Sequence, residues 1–312
     1  MPHPRILFMG TPAFALPALE QLYTRNYPVI GVVTQPDRPH GRGQKEIAPP
    51  VKILAKKLGL PVFQPEKVKD PAFLKILSEL NPEMVVVAAY GQILPKEIID
   101  FPPLKCLNIH PSLLPKYRGA APINWAIIRG ETKTGVTIMK MDEGMDSGDI
   151  ILQQETRIDD AEDFGRLHDR LAVQGASLLI EAIDQISAGT ASPTVQDASA
   201  VTFAPRLKKE NGRICWNSDA EDIVNLIRGL SPAPAAYTYL SGQLLKIFAA
   251  SSEKGEIKDL PGKIGAKIDQ GLLVAAADGH VILKEIQLAG KKRMPVSDFL
   301  RGYHLDPDTV LG

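Results

Sequence analysis

The chain has 312 residues, a length that suits two domains of about 100–200 residues each and excludes a single small module. Its composition, 44% apolar and 23% charged, is that of an ordinary folded protein and excludes disorder as the main state. Lys and Arg together number 36 and Asp and Glu number 36, so the net charge favours no polyanionic partner and any basic surface must be local.

The amino-terminal part of the chain, up to residue 188, alternates short β-branched apolar runs with amphipathic stretches of helical period. This alternation predicts an α/β domain with a doubly wound, mostly parallel, Rossmann-like sheet. We predict strands at residues 5–8, 30–34, 62–63, 84–88, 106–109, 135–141 and 150–155. We predict helices at residues 14–23, 51–58, 71–80, 122–129 and 159–187.

Beyond residue 188 the pattern changes from long helices to short strands with glycine turns. A polar, proline-bearing segment at 189–205 is typical of a linker, and a second domain is predicted at 206–312. In it, we predict a helix at 220–229 and strands at 236–239, 243–250, 262–269, 271–276 and 280–287. Five short strands favour a small C-terminal β-barrel, for which the five-stranded OB-like type is one candidate.

Two polar residues follow the predicted strand at 106–109. Asn108 and His110 are two positions apart, so on a strand they project from one face, at the carboxyl end where open α/β sheets bind ligands. An amide donor beside a titratable imidazole suits acyl transfer, in which an oxyanion develops and protons move. Taken alone, the same pair is more typical of a strand end followed by a turn at Pro111.

An acidic, glycine-bearing loop follows the next predicted strand and carries Asp142, Glu143, Asp146 and Asp149. A carboxylate near His110 would orient the ring and raise its pKa, which would keep it charged near neutrality. The alternative is a solvated turn. The ligand spacing of a calcium loop is missing.

Basic residues are concentrated between residues 38 and 57, where one acid, Glu46, accompanies six cations: Arg38, Arg42, Lys45, Lys52, Lys56 and Lys57. This composition suits contact with a phosphate backbone, and it suits a solvated surface loop equally well. A second, smaller cluster is formed by Lys291, Lys292 and Arg293.

Several motifs are missing from the sequence. It contains no G-x-G-x-x-G and no Walker sequence, so we predict neither nicotinamide nor nucleoside triphosphate use. It also contains no G-x-S-x-G, the motif of a serine nucleophile elbow. Its six histidines are scattered and its two cysteines are too few for a zinc site or a disulfide framework, so no metal is expected. With no long apolar run, we expect a cytoplasmic protein.

In combination, these pieces resemble the folate-dependent formyltransferases. The resemblance rests on the Asn-x-His of 108–110, SLLP at 112–115, RGAAP at 118–122 and Asp146. The resemblance is stronger to those members of the family that act on charged tRNA. It rests there on FMGTP at 8–12, TQPDRP at 34–39, GRG at 41–43 and a second domain that starts near Arg206. Each piece is short, but their order and spacing cover essentially the whole chain.

The resemblance implies transfer of a formyl group from 10-formyltetrahydrofolate to the amino group of methionine esterified to initiator tRNA, without a metal. It implies that Asn108 holds the formyl oxygen, that His110 stabilises the oxyanion as an acid, and that Asp146 orients His110 and helps to move protons. Residues 1–188 would then be the catalytic domain and residues 206–312 a tRNA-binding domain.

The resemblance also implies the binding residues. The folate site would involve Ser112, Leu113, Leu114 and Pro115, with a Leu114–Pro115 bond that is cis in related enzymes, and Gln92, Ile93 and Leu94 beside the pterin. The tRNA contacts would be Arg38, Arg42, Lys45, Lys208, Lys209, Lys291, Lys292 and Arg293, with Arg42 the most informative. A monomer is expected.

Other functions remain open at this point. A formyltransferase for a small amine, such as glycinamide ribonucleotide or an amino sugar nucleotide, would use the same chemistry, and a formyltetrahydrofolate hydrolase would replace the amine with water. A non-catalytic tRNA-binding protein would need only the basic loop and the barrel.

Overall fold

The structure is a computed structural model, and it describes residues 3–40, 45–306 and 308–312. The chain forms two compact units, each built from three segments of chain. Unit 1 comprises Met1–Gly119, Thr134–Thr156 and His168–Phe203, and unit 2 comprises Ala120–Lys133, Arg157–Leu167 and Ala204–Gly312.

The strands are, in chain order, β1 (Ile6–Gly10), β2 (Val29–Val33), β3 (Arg38–His40), β4 (Lys45–Ile47), β5 (Val62–Phe63), β6 (Met84–Ala88), β7 (Cys106–His110), β8 (Arg118–Gly119), β9 (Lys133–Lys140), β10 (Ile150–Arg157), β11 (Phe203–Ala204), β12 (Ala236–Leu240), β13 (Gln243–Lys254), β14 (Ile264–Ile268), β15 (Gly271–Ala275), β16 (Gly279–Leu288) and β17 (Met294–Pro295). The α-helices are α1 (Leu16–Thr24), α2 (Pro50–Lys57), α3 (Pro71–Leu80), α4 (Lys96–Ile99), α5 (Pro122–Ile128), α6 (Phe164–Ser187), α7 (Ala220–Leu230) and α8 (Val296–Gly302). Short 3₁₀ turns span Ala13–Ala15, Ala198–Ala200 and Lys209–Gly212.

Unit 1 contains a seven-stranded sheet with the order β10-β9-β7-β6-β1-β2-β5. Its central strands are parallel, and β9 runs antiparallel to β7. Every residue of β1 and β6 is buried, as expected for central strands of a parallel sheet, whose two faces are both covered. The predicted α/β class and mostly parallel sheet are confirmed.

Unit 2 contains an antiparallel sheet with the order β12-β13-β16-β15-β14, to which β17 adds beside β16. Ile223 and Ile227 of α7 belong to the buried core that this sheet encloses. The chain end joins the two outer strands, because the N–H of Leu311 donates to Gly262 beside β14 and that of Gly312 donates to Tyr239 of β12. The five strands predicted for this part all form.

The structure also differs from the predicted elements. The long helix begins at Phe164 rather than at residue 159, because the Asp163 carboxylate accepts the N–H of Arg166 and caps its first turn. The basic loop forms the β3–β4 hairpin, and α4 and α8 were not predicted. Within the described ranges, no helix is long and apolar enough to cross a membrane.

Candidate active site

Asn108 and His110 lie at the carboxyl end of β7 and, as predicted, on the same side of the strand, since they are two residues apart. His110 is 3% exposed, whereas Asn108 is partly exposed. Among the residues that the structure describes, none forms a hydrogen bond with the Asn108 side-chain amide. Within the described ranges, an unpartnered amide and a buried imidazole therefore project from one side of β7.

The two ring nitrogens of His110 have different surroundings. Nε2 lies 3.0 Å from the carbonyl oxygen of Tyr117, and because a carbonyl can only accept, Nε2 carries the hydrogen. In the neutral ring, Nδ1 then carries the lone pair and lies 3.7 Å from Oδ2 of Asp146. That distance is too long for a good hydrogen bond but short enough for an ion pair if the ring is protonated.

The side chain of Asp146 is held in place by the backbone of β8. Its Oδ2 accepts the N–H of Gly119 at 2.8 Å. Its backbone has a φ of 50°, in the left-handed region that non-glycine residues seldom adopt. The Asp146 side chain is 20% exposed, and its carboxylate lies beside His110.

The pKa of His110 is lowered from its ordinary value, so the expectation that it is raised is wrong. Burial is the largest cause, since it removes solvation from the charged ring, and the charge of Arg118 adds to it. Asp146 and the Tyr117 carbonyl act in the opposite direction, but their combined effect is smaller. The imidazole is therefore neutral near pH 7.

The SLLP segment forms a loop braced by side chains of β9 and β10. The Leu114–Pro115 bond is cis, as the resemblance implied. The Thr137 hydroxyl donates to the Ser112 carbonyl at 2.6 Å and accepts the N–H of Leu114 at 3.2 Å. Gln153 donates to the Leu114 carbonyl and to the same hydroxyl.

The three residues expected beside a pterin differ in their surroundings. Ile93 is 93% exposed, while Leu94 is buried in the core of unit 1. The Gln92 side chain accepts the N–H of Val68 at 2.8 Å and donates to the Glu66 carbonyl. Of the three, Ile93 presents the surface that a ligand can cover.

Among the four acids of the loop after β9, Asp146 is the one that faces His110. Asp142 binds the Ser147 hydroxyl and the Gly144 N–H, and Glu143 pairs with Lys96. In the described part of the chain, no group of three His, Cys, Asp or Glu side chains is arranged to hold a metal ion.

The candidate tRNA-binding cations lie in both units. Arg38 lies on β3, while Arg42 and the side chain of Lys45 lie outside the described residues. The other exposed cations are in unit 2: Lys208, Lys209, Lys291 and Lys292. Arg293 forms a two-pronged ion pair with Glu285 and stacks over Phe248, so its charge is already engaged.

Several residues of the site were not predicted. Thr137 and Gln153 act through long-range hydrogen bonds that no local pattern signals. The Tyr117 carbonyl binds His110 from seven residues away. Gln196, in the predicted linker, donates to the carbonyls of Asp146 and Gly148. Only Tyr117 had a sequence signal, as the residue before the RGAAP motif.

The arrangement combines an amide donor that no described residue binds, a neutral imidazole and a carboxylate at one edge of the sheet. It suits transfer of an acyl group, in which the amide stabilises an oxyanion and the imidazole carries a proton between two nitrogens.

Models of protein families match both parts of the chain. A family model described as formyl transferase matches residues 4–183, and one described as formyl transferase, C-terminal domain, matches residues 206–304. A Syntrophus aciditrophicus (strain SB) protein named methionyl-tRNA formyltransferase is 58% identical over 307 residues, covering 98% of each chain. A protein of the same name from Geotalea daltonii is 49% identical, covering 99% of this chain and 98% of that protein.

Solved structures of low identity share the fold. HypX from Aquifex aeolicus in complex with tetrahydrofolic acid aligns with a TM-score of 0.64 at 19% identity, over 99% of this chain and 51% of that one. The N-formyltransferase of Helicobacter canadensis, in complex with folinic acid and dTDP-3-aminofucose, aligns with a TM-score of 0.66 at 19% identity, over 93% of this chain and 100% of that one.

Proposed function

Because the chain belongs to the formyl transferase family, we propose that it transfers the formyl group of 10-formyltetrahydrofolate to the amino group of methionine esterified to initiator tRNA. The observation that carries this proposal is the 58% identity, over nearly the whole of both chains, to a protein named methionyl-tRNA formyltransferase. Both domains of the family are matched, including the carboxy-terminal one at 206–304.

In this reaction the α-amino nitrogen attacks the formyl carbon, which becomes tetrahedral, and the bond from that carbon to N10 of the folate then breaks. Asn108 donates its free amide N–H to the formyl oxygen as negative charge develops there. The amide fits this role because it projects from the rigid end of β7 and has no hydrogen-bond partner among the described residues.

His110 carries the proton from one nitrogen to the other. The amine loses a proton as the new C–N bond forms, and N10 must gain one as it leaves. A neutral imidazole with a lowered pKa accepts the first proton and releases it readily. Asp146, 3.7 Å away, stabilises the transient imidazolium.

The folate donor is held by the loop at Ser112, Leu113, Leu114 and Pro115, with Ile93 exposed to cover an apolar face of the pterin. The tRNA is held by cations of the basic loop, above all Arg42, and by four lysines of the second domain: Lys208, Lys209, Lys291 and Lys292. The enzyme acts as a monomer in the cytoplasm, in translation initiation.

The test is transfer of labelled formyl from the folate donor to methionyl initiator tRNA, with charged elongator methionine tRNA, glycinamide ribonucleotide and an amino sugar nucleotide as competing acceptors. We expect transfer to the initiator tRNA and little to the others. Faster transfer to a small amine, or release of formate to water without an acceptor, would contradict the proposal. Binding of tRNA without transfer would identify a non-catalytic protein.

A further inference from the structure

The segment that follows α6 is more than a connection between two elements. Residues 194–202, here called the strap, are anchored at Thr194, whose backbone exchanges two hydrogen bonds with Ile150 at 2.8 and 2.9 Å. Between Val195 and Asp197, which are both exposed, Gln196 is 8% exposed. A buried amide in an otherwise exposed segment needs partners, since an unpaired polar group is costly to bury.

Every hydrogen-bonding position of the Gln196 side chain is used. Its Nε2 donates to the carbonyls of Asp146 and Gly148 at 2.8 and 2.7 Å, and its Oε1 accepts from Nε and Nη2 of Arg118 at 3.1 and 2.7 Å. The orientation of the amide is unambiguous, because carbonyls only accept and a guanidinium only donates. Gln196 thus links the loop of Asp146 to Arg118.

The other end of the strap holds the other partner of His110. The Thr202 hydroxyl accepts the N–H of Tyr117 at 2.9 Å, and its carbonyl accepts the N–H of Arg118. Tyr117 is the residue whose carbonyl binds Nε2 of His110. Gln196 and Thr202 therefore each bind the backbone of a residue that touches His110.

Both of those residues have an unfavourable backbone conformation. Tyr117 has a φ of 63° and Asp146 a φ of 50°, in a region sparsely populated by non-glycine residues. Such conformations persist when the surrounding structure fixes them, and they are common at active sites. The strap supplies that fixation directly, at the N–H of one residue and the C=O of the other.

We propose that Gln196 and Thr202 are positioning residues for formyl transfer, which hold Tyr117 and Asp146 on either side of His110. This inference rests on the proposed function, because it assigns the two residues to the geometry of that reaction. Neither residue touches the reacting atoms, and both act through the partners of His110.

The first test is Gln196→Glu, which preserves size and the contact to Arg118 but turns an oxygen towards the Asp146 and Gly148 carbonyls. We expect kcat to fall roughly 10- to 100-fold, as when catalytic groups are displaced by about 1 Å. The KM values for the folate donor and for methionyl-tRNA should change by less than about twofold, since binding is not the step affected. Gln154→Glu, the same change at an exposed position of β10, is the matched control and should retain normal kcat.

The second test asks whether Gln196 acts through Asp146. In an Asp146→Asn background, adding Gln196→Glu should lower kcat by less than about twofold, because the effects of residues that act as a unit are not additive. If Gln196→Glu lowered kcat by the same factor in the wild-type and Asp146→Asn backgrounds, Gln196 would have another role and the inference would be overturned.

The third test uses Thr202, in case the Gln196 variant fails to fold. Thr202→Ser keeps the acceptor oxygen for Tyr117 and should retain most of kcat, whereas Thr202→Val removes it and should lower kcat. Wild-type protein that does not formylate methionyl-tRNA would refute the proposed function itself. Formylating wild-type protein with active Gln196→Glu and Thr202→Val variants would refute only the positioning role.

Discussion

Burial of His110 and the charge of Asp146 shift the pKa of the imidazole in opposite directions. The ring is almost fully enclosed, and desolvation lowers its pKa more than Asp146 at 3.7 Å raises it. A carboxylate close to a histidine raises the pKa of that histidine overall only if the ring stays solvated. The proton acceptor is therefore available at neutral pH.

This balance predicts a pH dependence. Because the neutral ring is the active form, kcat/KM should fall at acid pH, with a midpoint below the ordinary histidine pKa of about 6.5. Asp146→Asn removes the charge that raises the pKa, so the midpoint should move to lower pH while kcat decreases. The check is the pH profile together with an NMR titration of the His110 ring; a midpoint that rises in Asp146→Asn would contradict the assignment.

Asn108 permits a second prediction at this scale. Asn108→Ala should lower kcat roughly 100- to 1000-fold, the usual cost of losing one oxyanion donor. The KM for methionyl-tRNA should change little, because the interaction strengthens in the transition state. Single-turnover transfer of labelled formyl measures the chemical step. Asn108→Asp, which keeps the size but places an acceptor at the oxyanion, should be at least as defective, and normal transfer by either variant would exclude the role.

Among the elements, β7, β9 and β10 position the proposed catalytic and folate-binding groups because of how these strands pair. The antiparallel register places Thr137 of β9 opposite His110 of β7. From that position Thr137 reaches the SLLP loop, and Gln153 of β10 adds two hydrogen bonds to it. The loop therefore depends on strands that follow it in the sequence.

We predict that Thr137→Val weakens folate binding. The Ser112 carbonyl and Leu114 N–H would lose their partner, at a cost of about 1–3 kcal/mol for a buried unpaired group. The KM for the donor should rise severalfold, with a smaller effect on the KM for tRNA. Thr137→Ser keeps the hydroxyl and serves as the control. Steady-state kinetics and urea unfolding measure both effects, and an unchanged donor KM with lowered stability would show that the brace is only structural.

For the whole molecule, a net charge of zero conceals a local excess of cations. The exposed pair Lys291 and Lys292 lies in unit 2, and the hairpin that contains Arg38 lies in unit 1. Arg293 differs from its neighbours because Glu285 already neutralises it. Affinity for a polyanion depends on such local clusters of charge and not on the net charge of the protein.

The corresponding prediction concerns salt. The KM for methionyl-tRNA should rise steeply with salt, whereas that for the folate donor should change little. Replacing Lys291 and Lys292 together with alanine should flatten the log–log slope by about one to two, since each lost phosphate contact removes about one unit. Lys75→Ala, at an exposed position of α3, is the control and should keep the wild-type slope. An unchanged slope in the double variant would remove this cluster from the interface.

Prediction from sequence succeeded where the signal is local. Asn108 and His110 are two residues apart on a short strand, so the period of a strand alone places them on one face. The strand at Met84–Ala88 and the helix at Pro71–Leu80 were predicted with the observed bounds, because their apolar patterns are continuous. The start of α6 was missed, since one capping aspartate among several acids decides it.

The sequence by itself determined the fold class, the two kinds of domain and the polar pair at the end of β7, because each follows from periodicity and short spacing. Only the tertiary structure decided that the pKa of His110 is lowered, that Arg293 is neutralised, and that Gln196 binds the backbone of the loop that carries Asp146. Gln196 lies 50 residues from Asp146 and 78 from Arg118, and two of its partners are backbone carbonyls, which every residue possesses. Desolvation and such distant hydrogen bonds exist only once the chain has folded, so no local pattern can encode them.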